Sequence, residues 1–204
     1  MATGFPNSST KIPGRRCFCA LLGALAAATL WSGVADAQGA APAEKPRIVV
    51  YDLALIDTSL EGELRGVSQA ERSRLARAGV EIRRLLSDTG EFELVDISKH
   101  AELVAGISAG QPLYRCNGCE LTIARELHAD LALVGWVQKV SNLILNMNVV
   151  VRRVSTGKDV AFASVSLRGN TDESWSRAVR YLMVNGLLPR LMVGLHEGAA
   201  NTRE

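Results

Sequence analysis

Residues 130–168 constrain the fold more than any other part of this chain. From Leu143 to Val154 the residues alternate, with Leu145, Met147, Val149 and Val151 on one side and Asn146 and Asn148 on the other. Val160 to Arg168 repeats the pattern, with Ala161, Ala163, Val165 and Leu167 opposite Ser164, Ser166 and Arg168. A period of two belongs to strands, whose successive side chains point to opposite faces. Asp130–Val140 is a third apolar run, Ser141-Asn142 reads as a tight turn, and Ser155-Thr156-Gly157-Lys158 reads as a hairpin loop. Strands joined by loops this short run antiparallel, because a parallel crossover needs a dozen residues or more. The chain is committed to a meander with one strongly apolar face, and something must cover that face.

Helices supply the cover. Ser68-Gln-Ala-Glu71 is a capping box, and the helix after it lines up Leu75, Ala78, Ile82, Leu85 and Leu86 before Gly90 ends it. Arg72, Arg74, Arg77, Arg83 and Arg84 fill the rest of that helix and read as a solvated face, with an anion-binding surface as the functional alternative. Asn170 or Thr171 caps a second long helix, with Trp175, Val179, Leu182 and Met183 as its buried stripe and Pro189 expected to kink or restart it. Arg47–Ile56 reads as one strand buried on both faces, followed by a polar loop over 57–66. Phe92–Asp96 is a short strand, Ser98–Ser108 a weaker helix, and Cys116 opens a further helix that continues through Leu127. The order β-α-β-α-α-β-β-β-α predicts an α/β (α+β) domain. Its sheet is mixed and five-stranded, contains the antiparallel meander, and carries helices mainly on one face.

Outside this domain the ends read differently. Lys11, Arg15 and Arg16 precede an apolar run from Cys17 to Val34 and an Ala35-Asp36-Ala37 site, the pattern of a signal peptide over 1–37 cleaved near Ala37. Periplasmic export without a stable membrane anchor follows as the expectation; whether the ordinary or the twin-arginine route is used stays open. Residues 38–46 read as a flexible leader, 47–197 as a single domain and 198–204 as a frayed tail. The chain has 23 Lys+Arg and 21 Asp+Glu, and removing 1–37 leaves 20 of each. A formally neutral protein has no electrostatic footprint for nucleic acid or anionic lipid.

Cleavage would leave only Cys116 and Cys119, in an oxidising compartment, where a pair most often forms one disulfide. A thiol at a helix N-terminus also has a lowered pKa, so the same C-x-x-C suits thiol–disulfide exchange, with Cys116 as nucleophile and Cys119 resolving. Asn117-Gly118 are turn formers that let the pair close passively, which favours a structural disulfide. Glu120 stands where haem attachment needs a histidine. Zinc would need two more ligands from His100, His128 and His196. Neither a metal nor a cofactor is expected. Asn146, Asn148, Ser164, Ser166 and Arg168, near Gln138 or Lys139, form a polar sheet face that reads as plain solvated surface or as a contact surface for a protein or glycan. Asp52 and Asp57, about 17 Å apart along a strand, are too distant for a catalytic pair and read as strand-end and turn residues.

The segments YDLALIDTSLEGE, YRCNGCE, GWVQKVSNLILNMNVVVRRVSTGKDV and SVSLRGNTDESW resemble an exported bacterial family of unknown function. ARELHADLALVGWV and the hairpin closing on Thr156-Gly157 are also similar to the α/β domain of the TolB N-terminus and of curli-secretion-type envelope lipoproteins. That resemblance implies a non-catalytic domain that docks with other envelope proteins. A lipobox, a propeller and a pore-forming segment are missing, so assembly-specific roles do not carry over. The expectation is an exported accessory or docking domain, with the exchange enzyme as the alternative and a small-ligand carrier as a third reading.

Overall fold

The structure, a computed structural model, describes residues 44–200, with side chains through 196. The expected signal peptide, the leader up to residue 43 and residues 201–204 lie outside the described residues. The chain begins with β1 (Arg47–Val50), β2 (Ala54–Asp57), α1 (Leu60–Arg65), α2 (Gln69–Asp88) and β3 (Glu93–Val95). A 3-10 turn (Ile97–His100) leads into α3 (Ala101–Ser108), followed by α4 (Cys119–Glu126) and the strands β4 (Leu131–Ser141), β5 (Ile144–Arg153) and β6 (Asp159–Leu167). α5 (Asp172–Tyr181), a π-type turn (Leu182–Leu187) and α6 (Leu188–Ala200) complete it, so helical geometry extends three residues into the expected tail.

The sheet is mixed, in the order β3-β1-β4-β5-β6, with β2 also on β4. β1 runs parallel to β3 and β4, and β4, β5 and β6 form the antiparallel meander. The sixth strand arises because the expected first strand is interrupted. Val50 pairs with Leu133 and Ala54 with Trp136, so Tyr51, Asp52 and Leu53 oppose only Val134 and Gly135. This is a β-bulge, and one extra residue reverses which face the following side chains meet. Ile48 and Val50 join the main core, and beyond the bulge Leu53 and Leu55 do so. Gly135 makes the crossing possible: a Cβ there would lie 3.1 Å from Leu53 Cγ and 3.2 Å from Val149 Cγ1. The polar segment after β2 is partly helical, because the Ser59 side chain accepts from Gly62 N–H and caps α1.

α2 and the α5–α6 arm cover one face. Ile82, Leu86, Trp175, Val179, Met183, Leu187 and Leu191 meet Leu131, Leu133, Leu145, Met147 and Val149 there. The capping box of Ser68 and Glu71 is present, Thr171 rather than Asn170 caps α5, and Gly90 has φ of 70° just past α2. Pro189 has no N–H to offer, and the chain meets it with a widened turn in which the N–H of Leu188, the first residue of α6, reaches back to Met183 O. A smaller cluster occupies half of the other face, where Ile123 and Ala124 of α4 and Leu127 just after it pack on Val49, Tyr51, Ala132, Val134 and Val150. Among the described residues, nothing covers the other half of that face.

Candidate functional site

The open half-face is built by the meander. Gln138 pairs with Asn146 and Asn146 with Ser166; Trp136 pairs with Asn148 and Asn148 with Ser164. Ser164 Oγ donates to Asn146 Oδ1 at 2.8 Å, Asn146 Nδ2 to Ser166 Oγ at 3.4 Å, and Asn148 Nδ2 to the Asn146 carbonyl at 3.5 Å. Four of the five residues singled out from the sequence are thus brought together, with Asn148 buried. Arg168 lies beyond β6, past the last pair of the ladder, Leu145 with Leu167, and is exposed. Of the two neighbours considered, Gln138 is on this face and Lys139 is not. Val140, Ile144 and Phe162 stand exposed around the ladder, and Ile56, Gln138, Val140, Ile144 and Asn146 line a shallow groove across it.

Lys139 points into the core instead, where the alternation of Leu131, Leu133 and Val137 directs it. Its side chain is 1% exposed, and its ammonium lies 3.0 Å from Asp57 Oδ2 and 2.6 Å from Glu71 Oε1. Those carboxylates are 6% and 3% exposed. Glu61 Oε2 is 3.5 Å away, and Asn170 Nδ2 donates to Glu71 Oε1 at 3.0 Å. Burial alone would push the Glu71 carboxyl up, but hydrogen bonds from Lys139 and Ser68 outweigh it and hold the pKa at about 2. Asp57 is likewise lowered, by Ser59 and Lys139 against the effect of burial, and the two acids raise Lys139 although burial opposes them. Asp57 is therefore not merely a turn residue: it helps tie β2, α2, β4 and the loop before α5 to one point. The sequence signal for Lys139 was its parity within β4. Asp57 had none, because an uninterrupted strand would turn it to the other face.

A further buried acid lies in the first turn of α4. Glu120 accepts from Arg152, and Arg152 also pairs with Asp159 at 3.0 Å. Glu120 Oε2 is buried without a partner among the described residues. Cys116 and Cys119 are joined by a disulfide, with Cα atoms 5.5 Å apart. Cys116 N–H donates to the Pro112 carbonyl, and the helix opens at Cys119, not at Cys116. Tyr114, two residues before the disulfide, stacks on Trp136 with ring centroids 6.4 Å apart and holds this segment against the sheet.

The arginines of α2 are partly spoken for. Arg74 and Arg77 pair with Asp172 at 2.7 and 2.9 Å, Arg83 with Asp52 at 2.7 Å, and Arg84 with Glu81 and Asp88. Among the described residues, no group of three or more His, Cys, Asp or Glu is arranged to hold a metal ion, and no helix is long and apolar enough to cross a membrane.

The sequence profile of one family, described as "Protein of unknown function (DUF2380)", matches residues 46–187. No curated protein matches. Among solved structures, the chain is similar to the LpoB C-terminal domain from Salmonella enterica, at 15% identity over 63% of this chain and 87% of that one, with a TM-score of 0.44. It is also similar to lipoprotein GNA1162 from Neisseria meningitidis, at 11% identity over 70% and 95%, with a TM-score of 0.41. The PelC dodecamer from Paraburkholderia phytofirmans matches at 12% identity over 68% and 86%, with a TM-score of 0.38.

Proposed function

The chain belongs to this family of unknown function, and on that premise we propose that it is an exported, non-catalytic accessory domain that docks an envelope protein on the open half of its sheet. The observation that carries the reading is the composition of that half-face. Asn146, Ser164 and Ser166 already bond to one another. Covering them with a partner therefore leaves few polar groups unsatisfied, and such groups are what make burial of a polar surface costly. Val140, Ile144 and Phe162 around them supply apolar area that gains from being covered. The partner fitting this surface carries little charge and presents apolar groups to Val140, Ile144 and Phe162. Export is supported by the basic, apolar and Ala-x-Ala sequence of 1–37. In this reading the Cys116–Cys119 disulfide is a staple that secures the turn before α4.

A photo-crosslinking amino acid placed at Ile144, and separately at exposed Glu173 on α5, tests the site in envelope preparations. The expected result is one discrete adduct from position 144, lost when Ser164→Arg is added, and none from position 173. Equal labelling from both positions, or an adduct indifferent to Ser164→Arg, refutes the docking surface.

A further inference from the structure

β1 and β3 pair only from Arg47 with Glu93 to Val49 with Val95. Beyond that point they part, because the bulge at Tyr51–Leu53 carries one chain along β4 while Asp96 turns the other into the 3-10 turn. With α2 on one face and α3 on the other, the divergence leaves a cleft of about 650 Å³ at the carboxyl ends of two parallel strands. Open α/β sheets bind ligands in such crevices, where the connecting helices depart to opposite faces. The volume is in the range of sites that hold drug-sized molecules.

Leu94, Ile97, Val104 and Leu113 make the walls apolar. Tyr51 lies buried behind them, with its hydroxyl tied to the Glu120 carbonyl at 2.6 Å. Arg83 supplies a cation. Its Nη2 donates to the Val50 carbonyl at 2.9 Å and to Asp52 Oδ1 at 2.7 Å. The carbonyl aims the guanidinium, whereas the Asp52 side chain is 88% exposed and is a counter-ion that water already contests. Asp96 on the rim is occupied by Ser98 and Lys99. A neutral apolar ligand would gain nothing from Arg83, which would stay on Asp52, and a dianion would be repelled by Asp52 and Asp96. A monoanion can take the place of Asp52 on Arg83 in a charge-assisted bond.

We propose that this cleft binds a small amphipathic carboxylate, with its apolar body against Ile97, Val104 and Leu113 and its carboxylate on Arg83. The site is separate from the docking face and does not depend on it.

Titration of the protein with octanoate, followed by amide NMR shifts, tests this. The expected result is saturable shifts confined to Val95, Ser98, Ala101, Val104 and their neighbours. Half-saturation should fall in the low millimolar range, as suits about ten non-hydrogen atoms. Octan-1-ol and octylamine should bind about ten-fold more weakly, and Arg83→Gln should weaken octanoate about ten-fold without changing octan-1-ol, the worth of one charged hydrogen bond. Ala105→Trp, at an exposed position lining the cleft, should abolish binding while shifts elsewhere stay in place. Absence of saturation, shifts spread over other surfaces, or equal affinity for the alcohol and the carboxylate overturns the proposal.

Discussion

Replacing Lys139 with Met would remove the cation from the buried cluster while keeping most of the side chain's bulk. Asp57 and Glu71 would then be two buried carboxylates facing one another without their ammonium. Breaking a buried pair from one side costs about 3–5 kcal/mol. The lowered pKa of Glu71 sets a similar scale: a fall from 4.5 to about 2 corresponds to about 3 kcal/mol of preference for its charged form. Because the folded value lies below the unfolded one, that contribution is complete above about pH 4.5 and vanishes as pH falls to about 2. In Lys139→Met the effect of burial is no longer outweighed, the carboxyls take up protons more readily, and protonation relieves the variant. Urea unfolding, monitored through buried Trp175 next to the cluster, should show a deficit of about 3–5 kcal/mol at pH 7 that shrinks by about half or more at pH 4. Adding Asp57→Asn and Glu71→Gln should recover most of the loss at pH 7. A deficit of the same size at both pH values, or no recovery in the triple variant, would refute the account of the cluster.

Three further outcomes are expected. Arg152→Met strands buried Glu120 and should lower unfolding free energy by about 3 kcal/mol at pH 7, measured by the same denaturation. Gly194→Ala places a Cβ 2.5 Å from the Val160 carbonyl oxygen, so α6 must move off β6, at about 1–3 kcal/mol, read as a lower urea midpoint. The Cys116–Cys119 loop is short, so Cys116→Ser with Cys119→Ser should cost only about 2 kcal/mol, and the pair's reduction potential should lie below about −300 mV. A value between about −120 and −230 mV would place it among exchange catalysts instead.

Alternation and capping were legible because they act over a few residues. The meander runs where Leu145, Met147 and Val149 oppose Asn146 and Asn148, and α2 begins at the Ser68 and Glu71 box. The polar ladder was legible for the same reason: Asn146 and Ser166 share a face by parity, and hairpins this short leave little choice of register. Arg168 shares that parity but falls beyond the last strand pair, which no period can show. The helix of the C-x-x-C segment starts at Cys119, three residues later than expected, because Cys116 is drawn back to Pro112.

By itself the sequence determined the strands, the long helices and which side of each is apolar. The tertiary structure decided where charge would be buried. Asp57, Glu71, Lys139 and Asn170 come from four separate segments and meet only because the sheet closes on α2. The bulge is the physical reason that this could not be read in advance. It adds one residue between Val50 and Ala54, reverses the parity of β2, and turns Asp57 toward Lys139 instead of the opposite face. Nothing local to Tyr51-Asp52-Leu53 dictates that step; it depends on Gly135 leaving room for Leu53 on the neighbouring strand. The same divergence opens the cleft beside Arg83, so both the buried cluster and the candidate ligand site arise from strand pairing more than 80 residues apart in the chain.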